Sequence, residues 1–294
     1  MAAAAETQPV VLEEPVSARI VRFLSRTPVY LLIAFVGVLW LIPTIGLFVT
    51  SVIDPAEIGR IGWWELLSKP SEATFENYRE IFDNEQITSS IFTTLWVALG
   101  GTILPIMVAA LAAYAFAWLE FPGRDWLFLV VVALLVVPIQ MALIPIFSLY
   151  NDLGLFDRVL GLILFHTAFG LPFAIFLLRN FFIGIPRDLL EAARIDGASE
   201  LRIFVRVILP LGLPAIASLA IFQFLWVWND LLVALTFGRD TQVITVAIFS
   251  EFRQFGSNLD LIAPAAFVSL VLPLALFFAF QRYFVEGLLA GSVK

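Results

Sequence analysis

The chain has 294 residues, 61% hydrophobic and only 14% charged, with a formal charge of −7 and a mean hydropathy of +0.97. Soluble domains carry about 25% charged residues, so lipid rather than water is the medium this balance fits. The absence of cysteine excludes disulfides, thiol chemistry and cysteine-ligated metals, a single histidine disfavours a histidine-built metal site, and no basic stripe suits nucleic acid.

The first eighteen residues are acidic and of low complexity, without the basic start of a cleavable signal peptide. They read as part of a disordered cytoplasmic tail over residues 1–27. Crossing the hydrocarbon core takes about 20 predominantly apolar residues. Six segments meet that length: 28–52, 88–119, 127–150, 159–183, 207–235 and 261–284. The predicted fold class is therefore an all-α polytopic membrane protein, with a six-helix domain over 28–294. Proline at 105, 138, 145, 172, 214 and 273 frees carbonyls that only neighbouring helices or water can satisfy, so the spans must pack as a bundle.

Basic residues orient the spans. With the N-terminus inside, the inner segments hold eleven of the 17 Lys and Arg residues and the outer loops hold six. The positive-inside rule then places both termini in the cytoplasm. The eight acids of loop 53–87 scarcely enter that rule. Trp63 and Trp64 in this loop fit either a headgroup anchor or a protein contact.

Between spans four and five, residues 187–206 carry eight charges, four of each sign. Pro186 ends the fourth span. Asp188, with Glu191 three residues on, predicts a capping box. Leu189, Ala192, Ala193 and Asp196 share a helical face whose small alanines admit another protein's backbone. Gly197 fits the left-handed position after a helix. A second helix from Ser199, with Leu201, Phe204, Val205 and Ile208 on its apolar face, runs into span five. The predicted unit is a lever over 186–206. A solvated interfacial loop explains the same charges.

This stretch resembles the coupling loop of bacterial ABC-importer permeases: E-A-A, three residues, G, nine residues, I-x-L-P. Glu191, Ala192, Ala193, Gly197, Leu209 and Pro210 match, as do Asp196 and Ala198 of the common D-G-A, while Val207 replaces isoleucine. The segments "TFENYREIF", "FPGRDWLF", "LYNDLGL", "FQFLWVWNDLLVAL" and "QRYFVEGLLAGSVK" extend the likeness to the maltose-type carbohydrate family, nearest its α-glucoside branch. The resemblance implies a type I importer permease in a bacterial inner membrane, with the loop docked on a cytoplasmic ATPase. The partners it implies are a second, homologous permease forming a heterodimer, two ATPase subunits holding ATP-Mg, and an extracytoplasmic sugar-binding protein. No cofactor is expected on this chain itself. It has only two lysines, Lys69 and Lys294, and neither sits in a phosphate-binding loop.

Ionisable groups inside the spans are His166 and Asp230. Trp228, Asn229 and Asp230 form a polar-aromatic cluster suited to a sugar path, because aromatic faces stack on pyranose rings. An outer interfacial belt explains the same residues. His166 is expected to bond a neighbouring helix's backbone. An ion-coupled transporter needs a relay of buried acids or histidines that the sequence lacks, and a passive pore is the other alternative. A membrane enzyme is disfavoured by the absence of G-x-S-x-G and of a second deep acid, and a scaffold by the loop spacing.

Overall fold

A computed structural model describes residues 16–255 and 258–290. The first helix, α1 (Val16–Ser51), already begins within the predicted tail, and its apolar span starts at Thr27. Residues 1–15 lie outside the described residues. A short segment then packs back on the end of α1. There Trp63 lies against Gly46, and Asn77 Nδ2 donates to the carbonyls of Ser51 (3.0 Å) and Ile53 (2.8 Å). Trp64 stays exposed. Asn77 lies on α2 (Glu76–Asp83), and α3 (Glu85–Trp118) follows, its first amides capped by the Asn84 side chain.

The third predicted span is broken. Helices α4 (Arg124–Leu134) and α5 (Ile139–Asp152) meet at 99° across Pro138, a residue that lacks an amide hydrogen and disfavours helix in the residue before it. After α6 (Val159–Ile183) comes the charged segment, α7 (Arg187–Ile195) and α8 (Glu200–Ile203). One π-helical turn, Phe204–Ile208, leads into α9 (Leu209–Trp228), followed by α10 (Leu232–Phe237), α11 (Ile244–Phe255) and α12 (Leu259–Ala290). Among the described residues five helices are long and apolar enough to cross a membrane, and the bent pair makes a sixth crossing if counted as one.

Span five therefore ends earlier than the predicted 207–235. The Asp230 carboxylate accepts from the amides of Val233 (3.2 Å) and Ala234 (3.0 Å), which starts a new helix and stops the old one. Helices α3 and α6 pack along each other, with α9 and then α12 alongside. Helix α1 leaves its large apolar side chains, Trp40 and Phe35 among them, on the outside of the bundle.

The core has two apolar clusters. One, holding Leu162, Phe165, Phe224, Trp228 and Phe237, lies toward the α10 end. The other, holding Ala113, Tyr114, Leu178, Phe182, Leu190 and Ile208, lies toward α7. Between them runs a polar level where Gln223 Nε2 donates to the carbonyls of Gly101 (3.0 Å) and His166 (3.4 Å). Such bonds hold helices together where lipid offers no partner.

At the α10 end, Asp157 is held in the left-handed region (φ 57°) and clamps a loop more than eighty residues away. Its Oδ1 accepts from the amides of Asp240 and Thr241, both at 2.8 Å, and its carbonyl accepts from the Thr241 hydroxyl. Burial pushes this carboxyl up, but the amides of Thr241 and Asp240 outweigh it and hold the pKa below its ordinary value. A depressed folded-state pKa gives stability that is present above the unfolded value and lost as pH falls through the folded one. The clamp should therefore hold across neutral pH and release only below about pH 4. Amide exchange of residues 238–243, corrected for its intrinsic pH dependence, checks this. Asp157→Ala should speed that exchange at pH 7, while an equally slow rate in the variant would contradict the assignment.

Candidate functional site

The lever predicted from the charges exists, with its details rearranged. Pro186, not Asp188, occupies the cap of α7, so the expected capping box does not form and Asp188 falls in the first turn. Glu191 instead accepts from Arg187 Nε at 2.8 Å across one exposed helical turn. At the other end the glycine assignment holds. Gly197 has φ 78°, its amide donates to Arg194 O and the Ala198 amide donates to Ala193 O, both at 3.0 Å. Those two bonds are a Schellman closure, which satisfies the last carbonyls of the helix.

Burial divides the matched residues. Leu190 is fully buried against the cluster that contains Ile203, Phe204 and Phe182, and it fastens α7 to the bundle. Ala193 and Ala198 pack partly against the same cluster. Glu191, Ala192, Asp196 and Gly197 face outward, beside Leu189 and an Ile195 that is 85% exposed. The result is an outward apolar strip, Leu189, Ala192 and Ile195, fringed by Asp188, Glu191 and Asp196.

The second half of the lever differs from the predicted face. Of that face Phe204 and Ile208 are buried, but Leu201 and Val205 are exposed, and Ile203, outside it, is buried. Within the π-turn over Phe204–Ile208 the residue spacing departs from 3.6 per turn, and Val205 points outward. Pro210 stands in the first turn of α9, directly after this widened turn, with Leu209 packed beside it.

Arg194, Glu200 and Tyr114 converge beneath the loop. Arg194 Nε donates to Glu200 Oε1 at 2.9 Å and its second nitrogen to Oε2 at 3.3 Å, while the Tyr114 hydroxyl of α3 donates to the same Oε2. The Glu200 carboxylate raises the Arg194 guanidinium above its already high value, so the arginine stays charged. Nothing in the sequence pattern singled out Tyr114.

The predicted sugar-path residues are split between two sides of α9. Trp228 is buried, stacked on Phe224 (5.5 Å between centroids), and its indole N–H donates to the Ser269 carbonyl at 3.0 Å. It offers no open ring face and belongs to the core. Asn229 is exposed and donates to Leu225 O at 2.7 Å. The exposed tryptophan is Trp226, which meets His166 edge-on at 5.1 Å. His166 is buried, with its Nε2 3.6 Å from Asp230 Oδ2 and its Nδ1 without a partner. The expected bond from its ring to a neighbouring backbone is absent, and the only carboxylate inside the predicted spans faces it instead. That pairing was available from one signal: ionisable groups within a membrane tend to find one another. Trp226, His166, Asn229 and Asp230 thus gather near the α9–α10 break, with His166 about 10 Å along α6 from its start.

Packed apolar helices, a glycine-locked charged loop at one end and a polar-aromatic group near the other define a membrane transport component. The family described as binding-protein-dependent transport system inner membrane component matches residues 101–289, and the chain belongs to it. It is similar to an osmoprotective-compound uptake permease of Synechocystis sp., with 45% identity over 278 residues covering 92% of this chain and 93% of that protein. An α-glucoside transport system permease of Rhizobium meliloti is 52% identical over 233 residues, 76% of this chain and 61% of the relative. A trehalose transport system permease of Mycobacterium tuberculosis is 39% identical over 230 residues, 76% and 84% of the two chains. A chain of a bacterial ABC transporter involved in alginate import superposes with a TM-score of 0.74 at 21% identity, over 92% of this chain and 99% of that one. The fold is thus that of an ABC-importer permease.

Proposed function

We propose that this chain is one translocation subunit of an ATP-driven carbohydrate importer. Its α7 end faces the cytoplasm, as do both termini. The strip Leu189, Ala192 and Ile195 docks on an ATPase subunit that carries ATP-Mg. A homologous permease completes the pathway, two ATPase subunits drive it, and an extracytoplasmic binding protein delivers the sugar. Residues 186–206 with Leu209 and Pro210 form the coupling unit. A ligand shifts such a two-state system only through differential affinity, so ATP-driven closure and sugar binding bias the same equilibrium.

The observation that carries this reading is the outward apolar strip on α7, held in place by Leu190 and the Gly197 turn. Exposed apolar groups of this kind mark a protein contact. The chain contains no cysteine, so Ile195→Cys creates a single reactive thiol in an otherwise native chain. Co-expressed with the neighbouring ATPase carrying one cysteine in its cleft, this variant should form a disulfide-linked product. A thiol that remains fully reactive in an active complex would overturn the docking surface.

For the sugar we assign Trp226, Asn229 and Asp230 to the path, with His166 behind them, and leave Trp228 in the core. A ring face, an amide and a carboxylate without a guanidinium suit a neutral saccharide, in line with the α-glucoside and trehalose relatives. Trp226→Ala should raise the half-saturating sugar concentration by up to about ten-fold, since stacking on one aromatic is worth about 0.5–1.5 kcal/mol. Equal transport kinetics in the variant would remove Trp226 from the path.

A further inference from the structure

The lever touches the long helix α3 through one polar bridge. Glu200 Oε2 accepts from the Tyr114 hydroxyl, and the same carboxylate takes both Arg194 nitrogens, at 2.9 and 3.3 Å. Arg194 lies on α7, Glu200 opens α8, and Tyr114 lies in the last two turns of α3, so three elements share a single carboxylate. The Tyr114 side chain is buried, and its ring also rests on Phe204 at 5.4 Å.

The backbone between α7 and α8 is a single turn, closed by the bonds from Gly197 to Arg194 and from Ala198 to Ala193. Gly197 forms the turn, and a Cβ placed there would meet nothing within 4 Å. Four residues beyond Glu200 the helix widens into the π-turn. A displacement of α7 could be absorbed at either place. The bridge removes that freedom by fixing α7 to α8 and both of them to α3.

Helix α3 leads onward to the polar level. Thirteen residues before Tyr114, about 20 Å along the helix, the Gly101 carbonyl accepts from Gln223, and Gly101 packs against His166 and Val227. The route from the bridge to the sugar-path group is therefore one continuous helix.

We propose that Tyr114, Glu200 and Arg194 are positioning residues that transmit movement of the docking helix to α3 and so to the translocation pathway. The inference rests on the docking role of α7 argued above. The bridge is not part of the docking surface. It determines how much ATP-driven motion reaches the sugar.

The test uses the whole complex reconstituted in liposomes, with maltose, trehalose and sucrose as the sugars. Three quantities are read: co-purification of the ATPase, ATP hydrolysis, and sugar imported per ATP. Tyr114→Phe is expected to keep co-purification and hydrolysis while sugar imported per ATP falls about ten-fold, the effect of losing one hydrogen bond to a charged group. Arg194→Glu and Glu200→Arg should each uncouple the complex, and the double exchange should recover most of the ratio. A purely structural role predicts lower yield at an unchanged ratio. If sugar per ATP is unchanged in Tyr114→Phe and in both reversals while the ATPase still co-purifies, the bridge does not transmit and the docking role survives. Failure of the ATPase to co-purify with the unmodified chain overturns the docking role itself, and this inference with it. Should Tyr114→Phe not accumulate in the membrane, the charge exchange decides alone: recovery in the double variant supports transmission, and no recovery overturns it.

Discussion

Replacing Gly197 with leucine is expected to leave the protein in the membrane at normal amounts and to reduce ATP-driven uptake about 5–30-fold. The site has φ 78° and open space around its Cα, so the added side chain clashes with no neighbour. The cost is backbone strain alone, about 1–2 kcal/mol for an ordinary L-residue held left-handed. A shift of that size changes the population of a two-state arrangement about 5–30-fold. To relieve it the turn must open, breaking the bonds from Gly197 to Arg194 and from Ala198 to Ala193. Helix α7, held otherwise by Leu190, would then present its strip at another angle. Gly197→Asn, which tolerates left-handed backbone, should keep most of the uptake. Measured uptake of the leucine variant at the normal rate would show that the turn does not set the docking geometry.

Asp230→Ala is expected to be the most damaging single change near the sugar path, costing about 3 kcal/mol of stability. It strips the acceptor from the amides of Val233 and Ala234 and removes the carboxylate that faces buried His166. A lost cap and orphaned buried donors together reach that size. Lower accumulation and no detectable uptake should follow. Asp230→Asn keeps one accepting oxygen for the α10 amides and replaces the other, with the charge, by an NH2 group. That variant should accumulate more than Asp230→Ala, with uptake reduced by about an order of magnitude through a weakened polar contact to the sugar. Thermal melting and uptake measured together on both variants separate the structural role from the transport role. Normal uptake by Asp230→Ala would exclude both.

Much of this architecture was legible because lipid simplifies the code. Length and apolarity alone locate five long helices, and the spacing from Glu191 to Pro210 locates the lever between two of them. What remained hidden depends on side-chain competition over one or two residues. Asp188 and Glu191 have capping-box spacing, but Pro186 starts α7 two residues before Asp188, and Arg187 then engages Glu191. Leu201 and Val205 look like core at regular helical spacing, yet they are exposed, and Ile203 is buried beside the expected Phe204 and Ile208. Trp226 and Trp228 are indistinguishable by type, and only the rotation of α9 against Phe224 and Ser269 decides which is buried. Pro138 lies within predicted span three, but the 99° bend there goes with separate packing, α4 against α6 and α5 against α10. A long-range pair such as Tyr114 with Glu200 has no local signature at all.

The most direct test of the central claim is uptake of labelled maltose, trehalose or sucrose into liposomes holding this chain with its neighbouring permease, ATPase and binding protein. The account predicts accumulation that requires ATP inside, persists when the proton gradient is collapsed, and disappears without the ATPase. Uptake that continues without ATP and follows the proton gradient, or that merely equilibrates, would contradict it.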